Sequence, residues 1–388
     1  MKKHLIIFAV ILVFTSFAFT INAQEFDLDV GAAILIDAET GQVLYEKNAD
    51  EQLPPASITK IMTLLIAMEQ VESGEISMED EVTISRFAES MGGSQIFLQA
   101  GTRVKFGDLL KAVTIASGND ASVAVAETVA GTYGNFVNWM NERAKELGME
   151  NTHFENTTGL PEEYGKHYST ARDISIMSRE LVKYTQILQW ASIWHELLQL
   201  PGREADLTNT NKLIRYYPGM DGLKTGHTQE AGYCLSATAV RDDMRLISVV
   251  MAADTERERE EATSRLLDYG FNAFNKELRI SQGDEVQNIE VPNGKQTVTT
   301  AYAAEDLYVV IKKGTRDTIS KKVNIEEELK APIEEGQKIG EVLILQEGKI
   351  LGRVDILASE NIEKAGFFTR IWRSFVNWVG GLIEGLLG

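Results

Sequence analysis

Two short apolar stretches near the start of the chain, 32–37 and 43–46, carry strand-type residues and are separated by Ala38-Glu39-Thr40-Gly41-Gln42. That arrangement predicts a β-hairpin. Pro54-Pro55 then interrupts the chain, and Ile58, Ile61, Met62, Leu65 and Met68 recur at helical spacing. They predict a helix with Ser57 at its start. Residues 108–147 read as largely helical. Asp108 is suited to cap one segment, and Asn119-Asp120 opens the next, which runs through Val123, Val125, Ala126 and Val129. A further helix is predicted over 170–184. The apolar runs 233–240 and 245–252, turned by Arg241-Asp242-Asp243-Met244, predict adjacent antiparallel strands, and a helix over 257–274 closes this unit.

From 278 to 359 the pattern becomes short alternating runs, at 286–291, 297–302, 307–312, 342–346 and 350–357, with Glu347-Gly348-Lys349 as a hairpin connection. This predicts a small all-β domain, a sandwich, with no catalytic constellation in it. The two ends differ again. Lys2 and Lys3, an apolar run over 5–19 and the small Ala23 have the layout of a secretory signal peptide. An uncleaved anchor is the alternative, for which the run is short. At the other end Phe367, Phe368, Ile371, Trp372, Phe375, Trp378, Val379, Leu382, Ile383 and Leu386 fall on one helical face, opposite Arg370, Arg373, Asn377 and Glu384. This predicts an amphipathic helix lying in a membrane interface. Docking on the protein itself or on a second copy is the alternative. The chain therefore divides into a leader (1–23), an α+β domain (24–276), a β domain (277–360) and a tail (361–388).

Composition narrows the chemistry. The chain has 388 residues, 44% of them hydrophobic and 24% charged, which fits ordinary globular domains. A net charge of -19 argues against a nucleic-acid partner. Cys234 is the only cysteine, so an intramolecular disulfide and a cysteine-rich zinc site are excluded. Its apolar surroundings suit packing better than nucleophilic work. His153, His167, His195 and His227 lack metal-ligand spacing, so no metal and no cofactor is expected.

Three tripeptide-scale motifs carry chemistry: Ser57-Ile58-Thr59-Lys60, Ser117-Gly118-Asn119 and Lys224-Thr225-Gly226. A serine hydroxyl needs a base before it can attack a carbonyl. Lys60 lies three residues on, on the same helical face, and can act as that base if burial, the helix dipole and a nearby Lys224 depress its pKa. Ser117 can pass a proton to a leaving amine. Asn119 can hydrogen-bond a substrate amide and help hold Lys60. Lys224 and Thr225 offer a charge and a hydroxyl to a carboxylate, and Gly226 lets a substrate backbone approach a strand edge. The backbone N–H groups of Ser57 and of His227, on the strand following the third motif, can face an oxyanion. Singly, each motif is an ordinary cap, turn or loop; the ordered set is not.

With these residues in view, the chain resembles the low-molecular-mass penicillin-binding proteins of the serine D-Ala-D-Ala carboxypeptidase family. The resemblance covers the leader, the hairpin, Pro55-Ala56-Ser57-Ile58-Thr59-Lys60, Ser117-Gly118-Asn119-Asp120, Tyr168-Ser169-Thr170-Ala171-Arg172-Asp173, Asp221-Gly222-Leu223-Lys224-Thr225-Gly226-His227-Thr228, the β domain and the tail. It implies a penicillin-recognising serine transferase fold, an antiparallel sheet flanked by helices. It implies peptidoglycan stem peptides ending in D-Ala-D-Ala as substrates, an acyl-enzyme on Ser57, and β-lactams as inhibitors. It also implies an exported protein at the outer face of the bacterial cytoplasmic membrane, and an arginine against the substrate carboxylate. Arg259 matches that arginine by spacing and Arg257 is the alternative. Class A β-lactamases are the nearest rival, but their Glu-x-x-Leu-Asn loop is missing; Glu204-Ala205-Asp206-Leu207-Thr208 comes closest and ends in Thr. A scaffold that kept the fold and lost turnover is the other reading, against which the full set of reactive residues argues.

Overall fold

The computed structural model describes residues 27–161, 165–315, 318–326, 329–369, 371 and 373. The leader (1–23), and the tail from 374 onward, lie outside the described residues. Along the chain, β1 (Ala32–Asp37) and β2 (Val43–Lys47) form the expected hairpin, with Gly41 at φ +72° in its turn. A 3-10 turn, Ala56–Thr59, leads into α1 (Lys60–Glu72). Next come β3 (Glu81–Thr83), α2 (Arg86–Glu89), β4 (Arg103–Lys105), α3 (Phe106–Ala116), α4 (Asn119–Ala130), α5 (Tyr133–Glu146), α6 (Ala171–Leu181) and α7 (Thr185–Ala191). The hairpin β5 (His195–Leu200) and β6 (Arg203–Thr208) precedes β7 (Met220–Thr228), β8 (Gly232–Arg241), β9 (Met244–Ala253) and α8 (Glu256–Ala273).

One antiparallel sheet organises this half, in the order β2-β1-β9-β8-β7. Every residue of β1 is buried, and the period of two sends Ala32, Ile34 and Ile36 into one core and Ala33 and Leu35 into another. The first core lies under α1 and α3–α6. The second lies under α8, which Thr255 and Glu258 start with a reciprocal capping box. Gly270 lets α8 approach the sheet, since a Cβ there would stand 2.5 Å from Leu246 Cδ1 and 2.8 Å from Leu35 Cδ2. Helix α1 is buried at every residue from Lys60 to Met68. A helix apolar all round belongs inside, and each of its Ile and Leu side chains contributes about 1.5–3 kcal/mol by leaving water.

The second half is all-β: β10 (Phe274–Ile280), β11 (Glu285–Glu290), β12 (Val298–Ala303), β13 (Leu307–Lys312), β14 (Ile319–Ile325), β15 (Lys338–Gln346) and β16 (Lys349–Ala358). A sheet ordered β11-β12-β16-β15-β14 packs with the β10-β13 pair around Ile280, Val309, Ile339, Val342 and Ile356. Its first strand starts at Phe274, directly after α8. Residues read from sequence as the beginning of the tail take part in this layer: Ile362 bridges to Ile333 and joins the core, Lys364 bridges to Gly294, and Ala365 is buried. Phe367, Phe368 and Ile371 beyond them are exposed. Among the described residues no helix is long and apolar enough to cross a membrane.

The pattern missed two things that matter for the site. Lys224-Thr225-Gly226 stands inside strand β7 rather than ahead of a strand. Ser57 stands in the 3-10 turn that precedes α1, not on the α-helix itself.

Candidate active site

A 3-10 turn repeats every three residues, so side chains three apart eclipse. Ser57 and Lys60 meet for that reason: Lys60 Nζ lies 3.0 Å from Ser57 Oγ and donates to Thr158 O at 3.0 Å. Ser57 is half-buried and Lys60 is fully buried. Burial pushes the Lys60 amine well below its ordinary pKa, Lys224 pushes the same way, and Asp120 opposes them without prevailing. A neutral amine keeps one lone pair, and Ser57 Oγ–H is at hand to fill it.

Ser117 and Asn119 enter from the turn between α3 and α4. Ser117 caps α3 in the left-handed conformation, at φ +61°, which a non-glycine residue adopts at a cost of about 1 kcal/mol. It is 3% exposed, and its Oγ has no hydrogen-bond partner among the described residues. Asn119 Oδ1 is in the same condition, while its Nδ2 donates to Gly92 O at 2.7 Å. Buried polar atoms are ordinarily paired, so these two mark places where a ligand can supply the missing partners. Asn119 does not hold Lys60 as expected; the Thr158 carbonyl does. The helices are joined through the neighbouring carbonyl, since Thr63 Oγ1 of α1 (3.1 Å) and Ser122 Oγ of α4 (2.9 Å) both donate to Thr157 O.

The third motif lies on β7, the edge strand beside the 3-10 turn. Lys224 is 2% exposed, and burial lowers its pKa to about 7, with Arg259 adding to the shift. Its Nζ donates to Thr225 O at 3.1 Å, and Thr225 Oγ1 donates to Thr210 Oγ1 at 2.6 Å. Gly226 has a reason to be glycine that the sequence did not suggest. A Cβ there would stand 2.7 Å from Pro55 O and 3.1 Å from Ala56 Cβ, so its bareness seats the serine turn against the strand. His227 is exposed, with its ring 4.0 Å from that of Tyr233. The two candidate arginines separate cleanly. Arg259 is 3% exposed, hydrogen-bonds Glu256 and Glu260 at 3.3 Å, and leaves its Nε unpartnered among the described residues. Arg257 is on the surface, 3.6 Å from Glu261. Lys224 and Arg259 thus place positive charge inside an acidic protein, an environment that favours a carboxylate.

Against known proteins, residues 19–255 match the family model described as D-alanyl-D-alanine carboxypeptidase, and residues 274–364 match the C-terminal domain of penicillin-binding protein 5. The chain belongs to the D-alanyl-D-alanine carboxypeptidase family. It is 41% identical over 359 residues to the D-alanyl-D-alanine carboxypeptidase DacF of Bacillus subtilis, covering 92% of each chain. Its fold is similar to penicillin-binding protein 5 of Haemophilus influenzae, with a TM-score of 0.79, 31% identity, and coverage of 87% of this chain and 99% of that one. It is also similar to penicillin-binding protein D2 of Listeria monocytogenes, solved in an ampicillin-bound form, with a TM-score of 0.57, 33% identity, and coverage of 63% of this chain and 98% of that one.

This carboxypeptidase has further residues at its site that sequence reasoning did not single out. Asp120 accepts from the backbone N–H groups of Ile96 (3.1 Å) and Leu98 (3.0 Å) and so fixes the loop beside Asn119. Asn156 Oδ1 accepts from the N–H groups of Thr158 (3.1 Å) and Gly159 (2.7 Å), which shapes the loop that offers Thr158 O to Lys60. Asn followed three residues later by Gly is a turn signal, but nothing local says what the turn touches. The stretch Glu204–Thr208 sits on β6, where Glu204 accepts from Gln199 across the hairpin. Among the described residues no His, Cys, Asp and Glu group is arranged to hold a metal.

Proposed function

We propose that this enzyme removes the terminal D-alanine from peptidoglycan stem peptides ending in D-Ala-D-Ala, through an acyl-enzyme on Ser57. One observation carries the reading: a fully buried Lys60 amine, depressed in pKa and anchored to Thr158 O, lies 3.0 Å from Ser57 Oγ. Ser57 Oγ attacks the carbonyl carbon of the penultimate D-alanine while its proton passes to Lys60. The N–H groups of Ser57 and His227 face the oxyanion. The peptide C–N bond breaks as Ser117 passes its proton to the leaving amine and takes the proton held by Lys60 in its place, which restores both groups. Water then cleaves the ester, returning the acid and Ser57. The substrate lies along the free edge of β7 like an added strand, its amide met by Asn119 and its carboxylate by Lys224, Thr225 and Arg259. β-Lactams acylate the same serine, a reading that the ampicillin-bound Listeria neighbour supports.

Mass spectrometry after penicillin treatment should locate the adduct on Ser57, and a D-Ala-D-Ala-terminated peptide should release D-alanine faster than penicillin is hydrolysed. The reverse ratio makes the protein a β-lactamase, and neither activity makes it a scaffold.

The charge on Lys224 gives a pH signature. Below about pH 7 its ammonium attracts the substrate carboxylate, and above that it is neutral. We expect kcat/KM for a peptide with a free carboxylate to fall as pH rises through about 7, because kcat/KM reports free-enzyme ionisations. The C-terminal amide of the same peptide should show no such limb. A limb common to both peptides would remove Lys224 from carboxylate binding.

The signal-like leader and the exposed Phe367, Phe368 and Ile371 support export and attachment to the outer face of the cytoplasmic membrane. Arg373 is tied to Gly294 O at 2.7 Å and Lys295 O at 3.1 Å, so truncation after it spares the β domain. Deleting 374–388 and replacing the exposed Phe367, Phe368 and Ile371 by serine should move the mature protein from the membrane pellet to the supernatant. Continued sedimentation would refute the anchor.

A further inference from the structure

We infer that His167 is a positioning residue for acylation, acting on Ser57 and Lys60 through Thr59; the inference rests on the proposed function of Ser57. His167 is 8% exposed and lies beneath the serine turn. Its Nδ1 faces the N–H of Glu155 at 3.1 Å and must accept from it. The ring proton therefore sits on Nε2, which donates to Thr59 Oγ1 at 2.7 Å. With its lone pair engaged, the Thr59 hydroxyl turns its own proton to Ala56 O at 2.8 Å. The three hydrogen bonds run in one direction, from Glu155 N–H to Ala56 O, and every donor meets an acceptor.

This chain ends where the turn is hardest to hold. Ala56 has φ +47°, a left-handed conformation that a residue with a Cβ adopts only when its surroundings enforce it. Thr59 stands between Ser57 and Lys60, so tying Thr59 to Ala56 closes the 3-10 turn whose three-residue period aligns them. The ring is also kept neutral. Burial lowers its pKa to about 4, and His153 and Lys60, the charged or titratable neighbours facing it, push the same way. Phe154 packs on it in a T-shaped contact with ring centres 5.7 Å apart. A histidine needed only for packing has no reason to be wired into the turn that carries the nucleophile.

The test separates the two ends of the ring by acylation kinetics with a fluorescent penicillin on the full chain, resolving the acylation rate constant from the apparent affinity. His167→Asn keeps an acceptor near Glu155 N–H and loses the donor to Thr59. His167→Gln extends an amide N–H toward Thr59. We expect His167→Asn to slow acylation by about 10- to 100-fold with affinity changed less than about 3-fold, the size of loss that small misplacement of reacting groups produces. His167→Gln should recover most of the rate. Thr59→Val should match His167→Asn, and adding His167→Asn to it should cost less than about a further 2-fold, because the two residues act through one bond. Equal losses in the Asn and Gln variants, multiplicative effects in the double variant, or wild-type rates throughout would overturn the assignment. Should His167→Asn fail to fold by circular dichroism, Thr59→Val against Thr59→Ser decides: a slow Val variant with a near-normal Ser variant supports it, and equal rates refute it. A wild-type protein that forms no adduct on Ser57 overturns the function and this inference together.

Discussion

Lys60→Ala should reduce acylation of Ser57 by at least about 10³-fold, the loss expected when a positioned general base is removed. The amine is the only nitrogen placed within 3.0 Å of Ser57 Oγ among the hydrogen bonds of the described residues, and burial, with Lys224 nearby, holds its pKa well below that of a surface lysine, which favours the neutral form a base needs. The fold should survive. Thr158 O loses a donor, worth about 1–3 kcal/mol when a buried acceptor is left unpaired. Against that, α1 keeps its buried run from Ile61 to Met68. Fluorescent penicillin labelling together with thermal unfolding checks both halves. Unchanged labelling would exclude Lys60 as the base, and labelling lost together with the folded state would leave a chemical role unsupported.

Gly159→Ala should cause the largest loss of stability of any glycine substitution near the site. A Cβ at 159 would fall 1.8 Å from Ala56 O and 2.2 Å from Ala56 C, and the backbone is at φ +76°. Both obstructing atoms are backbone, so the serine turn itself must move. The expected cost is about 4 kcal/mol or more, in the range reserved for severe steric and backbone conflicts. Gly148 is the internal control: its φ is also +76°, but nothing lies within 4 Å of the added carbon. Gly148→Ala should cost only about 1–2 kcal/mol, the price of the left-handed conformation alone. Denaturant unfolding of the two variants separates conformation from clash, and equal costs would refute the contact. Folded Gly159→Ala should also acylate at least about 10²-fold more slowly, since the displaced turn carries Ser57.

Much of the architecture was legible in the pattern. The hairpin at β1 and β2, helix α1, the pair β8 and β9, helix α8 and the all-β second half follow from periods of 2 and 3.6 that are local and repeated. Elements with weaker signals were missed. The strands β3 to β6 are short or polar on one side, and the motif at Lys224 is a strand whose residues resemble a loop. The boundary after 360 failed for a related reason: Ile362 and Ala365 are core residues in a segment with no strand period, held by isolated bridges.

For the site, the sequence by itself determined which reactive groups exist and in what order: Ser57, Lys60, Ser117, Asn119, Lys224, Thr225, His227 and two arginines. Spacing alone could pair Ser57 with Lys60, because three residues on one turn is a local fact. Only the tertiary structure decided that Lys60 rests on Thr158 O rather than on Asn119, that Gly226 and Gly159 are bare to receive the serine turn, and that Arg259 is inside while Arg257 is outside. It alone joined His167 to Thr59, across 108 positions of sequence. The physical reason is common to all four. Burial and contact between distant segments set the pKa, the rotamer and the permitted side-chain volume, and none of these is a property of a residue's sequence neighbours.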